Sequence, residues 1–286
     1  MKISVSSYSF KQCMDRGELD QFTAIGKAKE LGFDFIEFTD LMPPEGESSI
    51  DFAKRLREEA DRLGMGITCY AVGACMALES DEEDDIEFEK ICRELDVAKV
   101  LKVPVFRHDA AFKLPKRFPF FDTSLPKMTS NIRRITEYAE KLGIKTTIEN
   151  HGFICQDSDR VEKIITSVNH PNFGLLLDMG NFMCTDQQSA TAVSRCAPYA
   201  FHVHAKDFHF LPYSSEEHEG YFRTRGQNFL KGAILGEGVV PVEQCLKIIK
   251  NAGYDGFCTI EFEGSEPCYE ALKKGLENLK TFLKNI

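Results

Sequence analysis

The sequence contains no tryptophan, so any aromatic stacking on a ligand must come from its 23 phenylalanines and 8 tyrosines. It has no apolar run of about 18 residues, the length a membrane-spanning helix needs. The opening Met1-Lys2-Ile3-Ser4-Val5 reads as a strand and lacks the apolar stretch and cleavage site of a secretory signal. The expectation is a cytoplasmic protein with no membrane partner. Basic residues are not in excess: 35 Lys and Arg stand against 45 Asp and Glu, a net charge of −10. That argues against sequence-independent binding to nucleic acid, which needs a basic surface. The ten cysteines form no CxxC pair, and several lie inside apolar patterns such as Gly256-Phe257-Cys258-Thr259-Ile260. They are expected to be reduced and mostly buried, not a disulfide framework. No GxGxxG follows the first strand, where Ser6-Ser7-Tyr8-Ser9-Phe10 stands instead. An open doubly wound sheet usually carries that phosphate loop.

What the sequence does have is a recurring unit. An amphipathic helix ends in Gly, and a short β-rich run follows: Leu31-Gly32 before 33–38, Leu63-Gly64 before 66–70, Leu142-Gly143 before 144–148 and Ala252-Gly253 before 257–261. Gly just past a helix can adopt the left-handed conformation that caps it. Phe52, Leu56, Ala60 and Leu63 mark one helical face, and Ile132, Ile135, Ala139 and Leu142 another. The runs between are apolar at consecutive positions, as in parallel strands covered on both faces. Eight strands are expected, at about 2–6, 34–38, 66–72, 103–108, 144–149, 173–178, 200–204 and 257–262. Helical patterns follow them near 18–31, 49–64, 82–101, 125–142, 157–168, 186–197, 240–251 and 266–284. Eight alternations predict an α/β fold, a (β/α)8 TIM barrel forming a single domain over 1–286. Long loops are expected after the fourth strand, 109–124, and the seventh, 205–239. Both fall on the C-terminal side of the barrel, where loops build sites.

The later strands all end in the same kind of chemistry. The fifth ends Thr147-Ile148-Glu149-Asn150-His151-Gly152 and the sixth Leu175-Leu176-Leu177-Asp178-Met179-Gly180-Asn181. The seventh ends Phe201-His202-Val203-His204-Ala205-Lys206-Asp207 and the eighth Thr259-Ile260-Glu261-Phe262-Glu263. Taken singly, a Glu after a strand is solvated or caps a helix, Asp178 caps the next turn, and one of His202 and His204 is a hydrogen-bonded core residue. Taken in order, four such ends aim carboxylates and an imidazole at one mouth, where they repel each other unless a cation sits among them. Glu149, Asp178, His204 and Glu261 are therefore the candidate ligands of one divalent metal ion. Three carboxylates and one imidazole suit Mn, Mg, Co or Fe, with Zn also possible.

These four endings resemble those of the xylose isomerase-like TIM-barrel superfamily, of the sugar phosphate isomerase/epimerase type. The resemblance covers essentially the whole chain. It implies a divalent-metal-dependent isomerase or epimerase acting on a sugar or keto-sugar through a metal-stabilised enediolate. By resemblance to ketose 3-epimerase-like members, Glu149 and Glu261 are both ligands and the catalytic acid/base pair. Two opposed carboxylates fit that chemistry: one removes the proton next to a carbonyl, and the other returns it on the opposite face. The sequence departs from those members at two positions. Asn181 stands where they carry His, three residues after Asp178, and Phe210 where they carry Arg, six after His204. Lys206-Asp207 instead looks like the wider sugar-isomerase and inosose-dehydratase pattern.

Candidate substrate contacts are His108, His151, Asn181, Lys206 and Glu237. Lys206 could bind or protonate a leaving hydroxyl, or simply pair with Asp207. Arg107 reads as structural. Tyr8, Tyr70 and Phe112 are candidates for stacking on a sugar. Arg223, Arg225 and Lys231 could bind an anion or form a solvated loop. The expected partner is a small carbohydrate, with no nucleic acid and a homo-oligomer as the family habit. Two alternatives share the scaffold: a metal-dependent lyase, by inosose dehydration or 3-oxo-glycoside elimination, and a non-catalytic sugar-binding subunit.

Overall fold

Helix ends follow local side-chain chemistry. Ser48 accepts the Asp51 N–H ahead of α3 (Ser49–Leu63), and Gly64 closes that helix at φ +65°. Ser80 caps the acidic start of α4 (Asp81–Leu101) in the same way. The computed structural model describes residues 1–286. In chain order the remaining elements are β1 (Lys2–Ser6), α1 (Lys11–Asp15), α2 (Gln21–Glu30), β2 (Phe35–Thr39), β3 (Gly66–Val72), β4 (Val105–His108) and α5 (Phe121–Leu142). Then come β5 (Lys145–Glu149), α6 (Ser158–Val168), β6 (Phe173–Asp178), α7 (Ser189–Cys196) and β7 (Ala200–Ala205). Three short strands follow, β8 (Asp207–Leu211), β9 (Phe222–Arg223) and β10 (Phe229–Ala233), and then α8 (Val242–Asn251), β11 (Phe257–Ile260) and α9 (Cys268–Asn285). The strands β1 to β7 and β11 close into one barrel in the order β1-β11-β7-β6-β5-β4-β3-β2. All their pairings are parallel. This is the expected (β/α)8 barrel.

Strand alternation positions the site. Cys69, Val105 and Leu176 form a small buried cluster of their own, apart from the main core. Each lies two residues before a residue at the barrel mouth: Ala71, Arg107 and Asp178. Side chains two apart on a strand share a face. The inward face therefore carries an apolar plug below and charged groups above. Outward residues such as Ile36, Phe106, Ile148 and Leu175 join the main core under the helices.

The segment 205–239, expected as a loop, contains β8, β9 and β10, an antiparallel sheet in the order β8-β10-β9. Asp207 anchors it. Its carboxylate accepts backbone N–H groups of Phe208, Gly236, Gly238 and Val240 at 2.8–3.0 Å. Asp207 therefore does not pair with Lys206. The sheet docks on the barrel mouth through a backbone bridge between Gly232 and Gly264. A Cβ at 232 would run into the backbone carbonyl of Glu263. Overpacking of this kind costs about 1–3 kcal/mol. Gly232→Ala should lower stability by that order in chemical denaturation; an unchanged midpoint would show that the sheet shifts freely.

Candidate metal centre

Glu149 ends β5, Asp178 ends β6, His204 lies on β7, and Glu261 follows β11 directly. One ligand atom from each lies within 4.8 Å of every other. All four side chains are buried. His204 Nδ1 is 3.5 Å from Glu261 Oε2, 3.8 Å from Asp178 Oδ2 and 4.0 Å from Glu149 Oε1, and it makes no hydrogen bond. Asp178 Oδ1 accepts the N–H groups of Gly180 and Asn181 at 2.7 and 2.9 Å. Its Oδ2 is buried and accepts no hydrogen bond.

The other face of His204 explains its orientation. Nε2 lies 2.9 and 3.0 Å from the two oxygens of Glu37, a fully buried carboxylate on β2. An Nε2–H donating to Glu37 leaves the Nδ1 lone pair facing the three acids. A carboxylate behind a histidine fixes tautomer and ring orientation in this way at metal sites. His202 is the core histidine of the pair: Nε2 lies 2.8 Å from Thr259 Oγ1 and 3.1 Å from Glu37 Oε2. Burial would raise the Glu37 carboxyl, but His204 and His202 hold it down at about 2. Sequence reading missed Glu37. The available signal was an acid inside the apolar run Phe35-Ile36-Glu37-Phe38, a position that demands a buried partner.

Two cations offset the remaining charge. Arg107 Nη2 lies 2.7 Å from Glu149 Oε2 and 2.7 Å from Asp109 Oδ1. Lys206 Nζ lies 2.6 Å from Glu261 Oε2, 3.3 Å from Asp178 Oδ2 and 3.2 Å from Glu263 Oε1. Burial and the neighbouring Glu149 and Glu261 outweigh Lys206 at Asp178, whose carboxyl is pushed up to about 6. At Glu261 the balance is reversed: burial raises it, but Lys206 and His204 hold it well below the usual range. Asn181 joins the two halves, donating Nδ2 to Glu149 Oε1 at 2.8 Å and accepting Lys206 Nζ at 3.1 Å.

A cavity of about 200 Å³ opens above these groups, lined by Glu149, His204, Glu261, Lys206, His151 and Arg107, with Tyr8 and Phe112 among its walls. Asp40, Asp109 and Glu263, not foreseen from the sequence, also line it. His151 Nδ1 lies 2.9 Å from Asp109 Oδ1. Asn181 lies beneath the cavity and touches Glu149 and Lys206. Two expected contacts fall elsewhere. His108 is fully buried, its Nδ1 2.9 Å from the Asp109 carbonyl and its ring stacked on Phe173. It alternates with inward-facing Arg107, so it points to the helix layer. Glu237 is exposed in the turn held by Asp207 and does not line the cavity. Tyr70 donates to Glu94 at 2.6 Å, and Arg223 pairs with Glu217, away from the cavity.

The family model for the xylose isomerase-like TIM barrel matches residues 25–285. The chain belongs to that family. Among curated proteins it is similar to inosose dehydratase of Lacticaseibacillus casei, 22% identical over 151 residues, 50% of this chain and 49% of that protein. The match thus spans about half of the curated relative. Among solved structures, the IolI protein with a bound zinc atom superposes with a TM-score of 0.77 at 14% identity, covering 100% of this chain and 99% of that one. An L-ribulose 3-epimerase superposes at 0.73 with 15% identity, covering 100% and 95%. At such identities the structural likeness is one of fold. No helix of the chain is long and apolar enough to cross a membrane.

Asp178 Oδ2 and His204 Nδ1, both buried without a hydrogen bond, fit a divalent ion together with the two further carboxylates beside them. Three oxygens and one nitrogen could hold it. Glu37→Gln should weaken metal binding by roughly 10–100-fold, read by competition with a chromogenic chelator. Unchanged affinity would show that Glu37 does not orient His204. His108 carries a second prediction. Burial lowers its pKa from 6.5 to about 4, so between these values the unfolded chain binds more protons. Stability should fall as pH drops through that window, by up to about 3 kcal/mol. His108→Phe should show a shallower loss in denaturant titrations from pH 6.5 to 4; parallel curves would contradict the assignment.

Proposed function

We propose that the protein is a divalent-metal-dependent sugar or keto-sugar isomerase or epimerase, with Glu149, Asp178, His204 and Glu261 as ligands and Glu149 and Glu261 as the proton-moving pair. The observation that supports it is the convergence of these four groups within 4.8 Å, with His204 Nδ1 and Asp178 Oδ2 buried and making no hydrogen bond. When bound, the ion would polarise the substrate carbonyl and acidify the adjacent C–H. Glu149 and Glu261 approach from different strands. One carboxylate takes the proton from the carbon next to the carbonyl, and the other holds a proton for return. Return to the same carbon from the opposite side inverts it; return to the neighbouring carbon isomerises. Arg107 and Asn181 hold Glu149, and Lys206 holds Glu261, so each carboxylate keeps a fixed direction. His151 and Lys206 line the cavity as hydrogen-bond donors for substrate hydroxyls.

One contact favours a second reading. Lys206 Nζ is 2.6 Å from Glu261, on a cavity wall where it can hand a proton to a departing hydroxyl. With the similarity to inosose dehydratase, this supports a lyase that eliminates water after the same proton abstraction.

Manganese-loaded protein in D2O should wash deuterium into the carbon next to the carbonyl of a ketose or inosose. Glu149→Gln and Glu261→Gln should each lower that exchange by about 100-fold or more while changing substrate affinity far less. Exchange with an intact carbon skeleton supports the isomerase; an enone or dione product supports the lyase. No exchange across a sugar panel by metal-loaded protein overturns both.

A further inference from the structure

The barrel closes at one seam, where β1 and β11 pair in parallel from Lys2 with Phe257 to Val5 with Ile260. These two strands are joined covalently only through the rest of the barrel. Above them, the segment after β1 is laced to the segment after β11. Ser9 Oγ donates to the Ile260 carbonyl at 3.2 Å and accepts the Phe262 N–H at 2.9 Å. Gln12 Nε2 donates to the Gly264 carbonyl at 2.5 Å. The next rung is sulfur. Cys13 Sγ on α1 lies 3.0 Å from Sγ of Cys268, the first residue of α9, 255 positions along the chain. All ten cysteines are free thiols, and these two are buried.

Two features set the pair apart from thiols that merely fill a core. Its sulfurs need to approach by only about 1 Å to reach a disulfide bond length of about 2.05 Å. A cation also stands on one of them: Arg16 Nη2 lies 3.3 Å from Cys13 Sγ. Arg16 is half exposed and reaches the pair from the surface. A guanidinium in that place favours the thiolate, the form that attacks an oxidant. Burial and the neighbouring Cys13 push the Cys268 thiol up to about 12, so Cys268 keeps its proton until the second step.

We propose that Cys13 and Cys268 are a redox modification site, converted by hydrogen peroxide to a disulfide that staples the barrel seam and reopened by a dithiol. Cys13 Sγ attacks one peroxide oxygen; an S–O bond forms, the O–O bond breaks, and the other oxygen leaves as water. Cys268 Sγ then attacks Cys13 Sγ; the S–S bond forms, the S–O bond breaks, and the oxygen leaves as water with the Cys268 proton. The two sulfurs lose two electrons, and one peroxide becomes two waters. The bond ties the segment carrying Tyr8 to the one carrying Glu261 and Glu263, all of which line the cavity of the metal centre. It also closes a loop through nearly the whole chain, where a cross-link restrains the unfolded state most. The staple is independent of which sugar the metal centre acts on.

In the test, full-length protein is reduced, freed of reductant, exposed to a few equivalents of hydrogen peroxide, then denatured and alkylated. Mass spectrometry should find the peptides of Cys13 and Cys268 linked and the remaining cysteines alkylated. The melting temperature should rise by roughly 5–10 °C, and dithiothreitol should reverse both changes. Cys13→Ala and Cys268→Ala should each abolish the link and the rise, while Cys245→Ala, at a buried cysteine on α8, should keep both. Melts of the reduced variants check that they fold. Wild-type protein in which all ten thiols stay open to alkylation overturns the site, as does oxidation of Cys13 to a sulfinic acid without linkage to Cys268. A link that leaves the melting temperature unchanged, or a rise that persists in Cys268→Ala, overturns the staple.

Discussion

Four carboxylates, Glu37, Glu149, Asp178 and Glu261, are buried around one imidazole at the end of the barrel, and everything near them serves to make that tolerable. A buried charge without a partner is costly enough that the group either pairs or neutralises. Glu149 is paired by Arg107, Glu261 by Lys206, and Glu37 by the two histidines. Asp178 is the residue left over. Its Oδ1 is held by two amides, its Oδ2 accepts nothing, and its carboxyl rises to about 6. A single lysine shared among Asp178, Glu261 and Glu263 cannot satisfy all three. A divalent cation held by Glu149, Asp178, His204 and Glu261 would offset the charge of Asp178 and Glu261 and leave Lys206 to Glu263.

The barrel makes this concentration of charge possible. Parallel strands end at one rim, so an acid placed at the end of each of several strands arrives at a common point without further design. The buried cluster of Cys69, Val105 and Leu176 below gives the charged layer an apolar floor. Low dielectric on that side strengthens every ion pair above it.

These rules also account for what could be read from the sequence. The strands and the residues ending strands five to eight were legible because each was a short apolar run ending in ionisable groups. Inward or outward direction was not legible at the fourth strand. Arg107 and His108 are adjacent, and alternation sends only one of them to the cavity; the pairing of β4 with β3 and β5 decides for Arg107. Glu37 was hidden for a related reason. It lies in the middle of an apolar run, and its purpose appears only when β7 brings His202 and His204 across the barrel to meet it. The small sheet after β7 was missed because its strands are short and separated by polar turns, and it is tied down by Asp207, which gathers three distant amides. Glu237 belongs to the turn so gathered, and that contact leaves it in solvent.

Asn181 shows how far a single position can bear on the chemistry. Ketose 3-epimerase-like sequences carry His there, and a histidine could reach a substrate oxygen. The shorter amide here instead lies under the cavity, donating to Glu149 and accepting from Lys206. It ties the carboxylate on one side of the cluster to the ammonium on the other. Moving Lys206 toward a substrate hydroxyl would therefore break its bond to Asn181 and loosen the support of Glu149. On the proposed reading, proton abstraction and the release of a hydroxyl would be linked through that amide. Such linkage would help an elimination, in which the two events follow each other, and would matter little to an epimerisation that needs only two carboxylates held apart. How Asn181 and Lys206 move together is thus where isomerase and lyase chemistry would separate on this scaffold.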